Sequence, residues 1–366
     1  MGYGYGGNAM SPHSLFALVA PPPVVVGTGL IALDVVLDGT DPARILPVTA
    51  GGTCGNVLAI LSYMGWHAFP VARLGDDVAA RHIRRDLARW GVGLDFACSG
   101  SSSATPVYIQ RMRRDAAGIP SHTFLRACPL CGRRLPGYQP IVLTAAMDVA
   151  ARMGRSTVFF LDRVSPGALA LARASRACGA IIVFEPSGVG DPRLFREAVS
   201  LAHILKYSHE RIERRDDDDT ALLLEIQTLG HEGLRYRHKI KAAKMGTWQH
   251  VPSFRITRLV DSAGAGDWCT AGLIHILGQS GLTGLLRASP SQTHEALIFG
   301  QALAAWNCGF MGARGGMYES NREDAQRSVG RIMAGAHDDK RQEAEHIMYV
   351  RDVFKDVCFS CGSAPL

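Results

Sequence analysis

The sequence predicts an α/β protein whose central, mostly parallel β-sheet carries helices on both faces. From residue 141 onward, short apolar runs typical of buried strands alternate with amphipathic segments typical of helices. Such alternation is expected when helical crossovers connect parallel strands and cover both sides of a sheet. The chain of 366 residues is long enough for one large domain with an insertion, or for two domains.

Composition limits the classes of function. The 47% hydrophobic and 20% charged residues are ordinary for a globular protein. The net charge of +6 is small, and the sequence has no dense Lys/Arg stripe with interleaved aromatic residues. No apolar run reaches the roughly 18–20 residues that a membrane span needs. The nine cysteines, an odd number, favour reduced thiols. We therefore expect a cytoplasmic protein without nucleic-acid or membrane partners.

The first third of the chain contains a tail, a strand and a helix. Residues 1–22 are rich in glycine and proline without periodicity, and we expect most of them to form a disordered tail. The run "PVVVGTGLIALDVVL" predicts a buried strand with Asp34 near its end. The run "GGTCGNVLAILSYMGW" predicts a glycine turn that leads into an amphipathic helix.

Alternation of apolar and polar residues in "ATPVYIQRMRR" and "SHTFLRA" predicts two exposed antiparallel strands. The arginines of this ribbon, Arg114 among them, either face solvent or hold an anionic group of a ligand. His122 on the second strand is expected at the surface.

The stretch "DSAGAGDWCTAGL", Asp261 to Leu273, places two glycines and two aspartates within seven residues and then becomes apolar. A helix that starts here offers unpaired backbone N–H groups and a partial positive charge, which together bind anions. Gly264 and Gly266 let the backbone approach a phosphate, because no Cβ atom obstructs it. Asp267 in the first turn is kept ionised and can accept a proton. These features predict a phosphoryl-transfer site, and the alternative is a tight turn with a capping aspartate.

Four motifs resemble those of the ribokinase-like (PfkB) family of carbohydrate kinases, and they occur in the family's order across about residues 24–316. From the N terminus they are Gly51–Gly52 with Asn56 and Gly75–Asp76, Glu210 in "KYSHER", Thr228, Gly230 and Gly233 in "TLGHEG", and Asp261–Asp267. Four motifs in this order are far more specific than any one of them.

The resemblance implies a role for each motif. Asp267 is the expected general base, with Gly264, Ala265 and Gly266 as the anion hole. The residues expected to bind the acceptor are Asp34, Gly51, Gly52 and Asn56. Those expected on the nucleotide are Thr228, Gly230, Gly233, Asn307, Gly312 and Ala313, and Glu210 is expected in the magnesium network. Asn56 could instead cap the following helix, and helix packing would equally explain the small residues near Asn307.

The resemblance also implies a ribokinase-like fold and a kinase activity. The expected kinase domain covers residues 23–318, with a small β lid from about residues 34–48 and 104–126. The expected reaction transfers the γ-phosphate of ATP, with Mg²⁺, to a hydroxyl of a sugar or sugar-like small molecule. A nucleoside kinase and a catalytically silent ligand-binding protein on the same scaffold are the alternatives, and a homodimer through the lid is compatible with this fold.

Two Cys-x-x-Cys-Gly knuckles fall outside the resemblance. They are "CPLCG", Cys128–Gly132, and "CFSCG", Cys358–Gly362, more than 200 residues apart. The second lies in a C-terminal extension, residues 319–366, that we expect to be helical. If both knuckles meet, the thiolates of Cys128, Cys131, Cys358 and Cys361 complete a structural Zn²⁺ site. A redox dithiol or two unrelated loops remain as alternatives, because the sequence alone does not bring the ends together.

Overall fold

The computed structural model describes residues 15–41, 43–99, 103–116, 118–212, 221–240, 244–336 and 348–362. Its architecture is a large mostly parallel sheet flanked by helices, together with a second, smaller sheet. The expected α/β fold with a β lid is therefore confirmed.

The main sheet is formed by ten strands. They are β1 (Val24–Thr28), β4 (His67–Leu74), β5 (Ala97–Ser99), β8 (Val158–Leu161), β9 (Ile181–Phe184), β10 (Ile204–Ser208), β11 (Leu224–Thr228), β12 (Leu234–Ile240), β13 (Lys244–Met245) and β14 (Gln249–Val251). The order is β13-β12-β11-β10-β9-β8-β1-β4-β5, and β14 pairs with β12. Neighbours from β11 to β5 run parallel, whereas β12 is antiparallel to β11, β13 and β14.

Helices cover both faces of this sheet. They are α1 (Thr53–Tyr63), α2 (Val78–Arg89), α3 (Leu143–Arg152), α4 (Pro166–Ala177), α5 (Pro192–Leu201), α6 (Ala265–Leu277), α7 (Gly281–Arg287), α8 (Pro290–Asn307), α9 (Gly315–Glu319), α10 (Arg322–Met333), α11 (Val350–Val357) and α12 (Phe359–Gly362). Successive residues of the buried strand β8 point to opposite faces, so Phe160 joins the core that contains α1, α6 and α8. Phe159 and Leu161 join the core under α3, α4 and α5.

The second sheet corresponds to the expected lid and has one strand that the sequence did not predict. Its strands are β2 (Ala32–Asp38), β3 (Arg44–Gly51), β6 (Val107–Arg114), β7 (Pro120–Leu125) and β15 (Met348–Tyr349), in the order β15-β3-β2-β6-β7. The two runs predicted as antiparallel strands are β6 and β7, and they pair in that sense. Strand β15 comes from the C-terminal extension, which therefore contains a strand as well as α10, α11 and α12.

The N-terminal segment enters the core earlier than expected. Leu15 and Phe16 are 1% and 3% exposed, and the Phe16 ring packs edge-on against Tyr63 and Phe299. The expectation of a disordered tail up to residue 22 is therefore wrong for residues 15 and 16, while residues 1–14 lie outside the described residues. The glycine- and proline-rich composition predicted disorder, but the burial of the apolar side chains of Leu15 and Phe16 is favourable.

Within the described part of the chain, no single helix combines the length and apolar composition of a membrane span. By those two criteria alone, α6 and α7 pass as a pair, bent by 88°.

The replacement Phe16→Ala is expected to lower the free energy of unfolding by about 3–5 kcal/mol, because it leaves a cavity among aromatic side chains. Val19→Ala is the matched control, since Val19 is 45% exposed and its replacement should change stability by no more than about 0.5 kcal/mol. Urea unfolding of both variants checks this. Equal effects at the two positions would contradict the docking of the N-terminal segment.

Candidate active site

Glycine shapes the N terminus of α6, where an anion site is expected. Gly264 precedes the helix with φ +75°, in the left-handed region, and a Cβ there would lie 2.2 Å from the carbonyl oxygen of Ala313. Only glycine fits this position. The backbone N–H groups of the first helical turn have no partner within the helix. That of Ala265 donates to the Ser262 carbonyl oxygen at 3.3 Å, outside the helix. Gly266 in that turn is exposed.

Asp267 lies in the same turn and is half-buried. Burial of the carboxyl group and the nearby charge of Glu185 raise the pKa of Asp267 to about 7. Asn56 opposes this change, because its Nδ2 donates a hydrogen bond to Asp267 Oδ2 at 2.7 Å. The positive charge of Lys206 also lowers this pKa, whereas Asp162 raises it. Near neutral pH the carboxyl group can therefore exchange a proton.

A buried ion pair between Lys206 and Glu185 supports the first turn of α6. Lys206 of β10 is 2% exposed, and its Nζ lies 2.5 Å from Glu185 Oε1 and 3.1 Å from the carbonyl oxygen of Gly266. Thr270 of α6 donates to the other Glu185 oxygen at 2.5 Å. Burial alone would lower the pKa of Lys206, but Glu185 reverses this effect and keeps the ammonium charged. This pair fixes the helix start on the sheet.

Asp34, Gly51 and Gly52 meet just before α1. Asp34 is 9% exposed, and a Cβ on Gly51 would lie 2.0 Å from its Oδ2. Gly52 has φ +80°, and a Cβ there would lie 2.4 Å from the Leu30 carbonyl oxygen. Gln110 of β6 donates to Asp34 Oδ2 at 3.3 Å. Burial raises the pKa of Asp34 to about 7.

Asn56 belongs to α1 but does not cap it. The helix starts at Thr53 with Gly52 as the N-cap residue, and the Asn56 amide points at Asp267. The alternative of a helix cap is therefore wrong. The structure joins Asn56 to the expected base across 211 positions of sequence.

Asp162 is a site residue that the motifs did not identify. It follows β8 and is 1% exposed, and its Oδ1 accepts a hydrogen bond from the Leu30 backbone N–H at 2.9 Å. Burial raises its pKa to about 6. Asp162 and Glu185 each stand directly after a buried apolar run, which is the signal that could have identified them, since ligands of parallel sheets bind at the carboxyl ends of the strands.

Asp261 connects the loop before α6 to the lid. Its Oδ1 accepts from the Ala263 N–H at 2.9 Å and lies 2.6 Å from His122 Nε2, and its Oδ2 accepts from the Gly312 N–H at 2.9 Å. Burial would raise the pKa of Asp261, but the contact with His122 and these N–H groups lower it overall. The expected surface position of His122 is therefore wrong, and its side chain is 10% exposed. Arg114 also contacts this loop, through the carbonyl oxygen of Val260 at 2.8 Å.

The residues expected on the nucleotide fall into two groups. Thr228 ends β11, and its carbonyl oxygen accepts from the N–H of His209, which precedes the exposed Glu210. Gly230 begins a single 3₁₀ turn with φ +62°, and Gly233 follows it with φ +100°. These residues lie at the carboxyl ends of the adjacent strands β10 and β11.

The second group forms the loop after α8. Asn307 is fully buried, and its Nδ2 donates to the carbonyl oxygens of Gly312 and Ala313 at 3.3 and 3.1 Å. Its Oδ1 accepts from the Gly316 N–H at 3.1 Å. Through these bonds Asn307 holds the loop in its conformation. The backbone of Gly312 and Ala313 packs against the start of α6.

The two cysteine knuckles come together. Cys128 Sγ lies 3.7 Å from Cys361 Sγ, and Cys131 Sγ lies 3.7 Å from Cys358 Sγ. All four sulfur atoms are within 4.8 Å of one another, and all four cysteines are free. The expected meeting of the knuckles is confirmed, and the alternative of two unrelated loops is wrong.

The fold is similar to those of solved sugar and nucleoside kinases. A fructokinase from Xylella fastidiosa with bound ATP aligns over 85% of this chain and 98% of its own, with a TM-score of 0.64 and 18% identity. An aminoimidazole riboside kinase from Salmonella enterica, solved with its riboside and an ATP analogue, aligns over 84% and 99%, with a TM-score of 0.61 and 19% identity. A nucleoside kinase from Burkholderia thailandensis in complex with inosine aligns over 85% and 98%, with a TM-score of 0.59 and 16% identity. No protein-family model and no curated protein sequence matches the chain.

The raised pKa of Asp34 predicts a pH-dependent stability. The folded protein keeps this proton up to about pH 7, whereas the unfolded chain loses it near pH 4. The carboxyl group therefore contributes its full stability below about pH 4, and this stability is lost as pH rises through 7. The difference in unfolding free energy between wild type and Asp34→Asn should therefore fall between pH 5 and 7.5, by at most about 1.4 kcal/mol per pH unit.

Asp191→Asn is the control for this measurement. Asp191 caps α5, and the N–H groups of Leu194 and Arg193 lower its pKa. Its contribution is lost only at acidic pH, so the corresponding difference should stay constant over the same range. A flat curve for Asp34→Asn would show that its carboxyl group is ionised in the folded protein.

Proposed function

We propose that the protein is an ATP-dependent kinase that transfers the γ-phosphate to a hydroxyl group of a sugar or sugar-like small molecule. The observation that carries this proposal is the position of Asp267 in the first turn of α6, beside backbone N–H groups that have no partner within the helix, and with a pKa of about 7. A proton acceptor and an anion site are thus adjacent, which is the arrangement that phosphoryl transfer to an alcohol requires.

The chemistry follows from these two parts. Asp267 takes the proton of the acceptor hydroxyl as its oxygen attacks the γ-phosphorus. The bond between the γ-phosphorus and the β,γ-bridging oxygen breaks, and the products are a phosphate ester and ADP. The backbone N–H groups after Gly264 stabilise the negative charge on the transferred group. Lys206 and Glu185 hold these N–H groups in place through the Gly266 carbonyl and Thr270.

The acceptor is expected between Asp34 and Asp267. Asp34 offers a carboxyl group, and the glycines at 51 and 52 let the backbone before α1 pack closely against Asp34 and Leu30. Short polar side chains over a glycine turn can pair with several hydroxyls of a polyol. The same contacts suit the ribose of a nucleoside. The panel of sugars and nucleosides described below therefore distinguishes the two classes of acceptor.

The nucleotide is expected along the carboxyl ends of β10 and β11 and against the loop that contains Gly312 and Ala313. Asn307 supports that loop from within the core. Mg²⁺ would neutralise charge on the phosphates, and Glu210 suits it, because its exposed carboxylate follows β10 and hard cations prefer carboxylate oxygen.

The four cysteines fit a structural Zn²⁺ ion. Zinc bound to four thiolates has Zn–S distances of about 2.3 Å, which in a tetrahedron separate the sulfurs by roughly 3.8 Å. The two pairs at 3.7 Å match this separation. Four cysteine ligands leave no open position for water or substrate, so the ion would stabilise the fold and take no part in phosphoryl transfer.

Asp267→Asn should lower kcat by about 10²–10⁴-fold while nucleotide affinity stays nearly unchanged, since the amide cannot take the proton and the anion site consists of backbone N–H groups. Steady-state kinetics with ATP, Mg²⁺ and a panel of sugars and nucleosides, together with ATP titration calorimetry, measure both effects. Retention of more than about a tenth of wild-type activity would remove Asp267 from this role. Wild-type protein that phosphorylates no member of the panel would favour a silent binding protein.

Elemental analysis should find about one zinc per chain, and replacement of any of the four cysteines by serine should lower both the zinc content and the melting temperature. Cys178→Ser is the control, because Cys178 is exposed and outside the cluster. Acceptor KM should rise more than kcat falls when zinc is lost, since the first knuckle follows the lid strand β7. Metal-free protein with an unchanged melting temperature would exclude the site.

A further inference from the structure

Arg314, in the loop between α8 and α9, is a buried charge that none of the motifs explains. Its residue exposure is 2%. An arginine at such a position must be balanced by acceptors, since an unpaired buried charge is costly. The identity of these acceptors indicates what the residue does.

The guanidinium group contacts three parts of the fold. Its Nε donates to Asn56 Oδ1 at 3.1 Å, and its Nη2 donates to Asp86 Oδ2 at 2.8 Å and to the carbonyl oxygen of Ala50. Asp86, on α2, also accepts from the hydroxyl of Tyr318, at 2.8 and 2.9 Å. A continuous chain of hydrogen bonds therefore runs from Tyr318 and Asp86 through Arg314 and Asn56.

This chain ends on Asp267. The Asn56 amide has one oxygen that accepts and one nitrogen that donates, whereas a guanidinium group only donates. Arg314 can therefore face only the oxygen of Asn56, which turns the nitrogen towards Asp267 Oδ2 at 2.7 Å. The opposite orientation would place an oxygen against a carboxylate and an N–H against a cation.

We propose that Arg314, held by Asp86 and Tyr318, is a positioning residue that fixes the Asn56 amide so that its N–H stabilises the ionised carboxylate of Asp267. This inference rests on the proposed function, in which Asp267 accepts the acceptor's proton. Arg314 acts through Asn56 and needs no contact with the acceptor or the nucleotide.

The charged surroundings of Asp267 agree with this role. Among the neighbouring groups, Glu185 and Asp162 raise the pKa of Asp267 together with burial, and Lys206 lowers it. The hydrogen bond from Asn56 also lowers it. Without a fixed donor the balance moves towards the protonated carboxyl group, which is inactive as a base at neutral pH.

The central test is the pH dependence of kcat in Arg314→Lys, which keeps the positive charge but loses the planar group that contacts Asn56 and Asp86 together. The acid limb, which is the low-pH part of the profile where kcat rises with pH, should move to higher pH by up to about one unit. As a result, kcat at pH 6 should fall roughly 3- to 10-fold. At pH 9 kcat should approach that of wild type. An unmoved acid limb in folded Arg314→Lys would overturn the proposal.

Arg237→Lys is the matched control. Arg237 pairs with Glu225 at 2.7 Å, and Glu225 accepts from the hydroxyl of Tyr207 at 2.8 Å, so an arginine, a carboxylate and a tyrosine are again linked. This group joins β12, β11 and β10, whereas Arg314 joins the loop after α8 to α1 and α2. Arg237→Lys should change the melting temperature without moving the acid limb. If the limb moved equally in Arg237→Lys and Arg314→Lys, the movement would reflect a general loss of stability and the proposal would fail.

A double-mutant cycle with Asn56→Ala separates the route through Asn56 from a direct effect of Arg314, which also lies near Asp34. If Arg314 acts through Asn56, Arg314→Lys should no longer move the acid limb in the Asn56→Ala background. A persistent movement of the same size would contradict the route through the amide. If Arg314→Lys does not fold, Tyr318→Phe removes one support of Asp86 and should move the limb in the same direction by a smaller amount, and no movement there would count against the proposal.

A stability measurement tests the same inference without any acceptor. The difference in unfolding free energy between the Asp267 form and its Asp267→Asn counterpart should decrease with pH up to the folded pKa. In the Arg314→Lys background the decrease should continue to higher pH than in wild type. Wild-type protein without kinase activity would therefore reject the proposed function alone, whereas coincident stability curves would reject the positioning role.

Discussion

The removal of carboxyl groups from water, on the lid strand β2, after β8 and in the first turn of α6, is the constraint on which the rest of the site depends. Asp34 and Asp162 are buried and Asp267 is half-buried, and their charged forms lose hydration. The fold compensates with donors that converge from several elements, including the Leu30 N–H, Gln110 and the Asn56 amide. The pKa values of about 6 to 7 follow from this incomplete compensation.

The lid and the loop before α6 are linked by a second set of contacts. His122 of the lid meets Asp261, and Asp261 in turn accepts from the N–H groups of Ala263 and Gly312. Arg114 adds hydrogen bonds to the backbone of residues 259 and 260. The lid is thereby held at a fixed position relative to the N terminus of α6.

The C-terminal extension adds a strand to the lid sheet. Strand β15 adds to the free edge of β3, which otherwise presents unpaired N–H and C=O groups. The second cysteine knuckle follows α11 and meets the first knuckle, which follows β7. The two ends of the lid sheet are therefore both attached to one short C-terminal segment. This arrangement explains why the two knuckles lie far apart in sequence.

The amino-acid sequence by itself determined the sheet of parallel strands, the helix that starts after Gly264, the lid ribbon and the four cysteines, because periodicity, glycine and ligand type are local properties. The sequence did not predict β15 or the docking of Phe16. A strand of two residues and a single buried aromatic side chain are too short to produce a periodic pattern of apolar residues. Only the tertiary structure decided the partners of Asp267. Arg314 and Asn56 are 258 positions apart, and nothing near an arginine in the chain specifies which distant acceptor will balance its charge. Burial forces that pairing once the fold has formed, because an unpaired charge in the core is too costly.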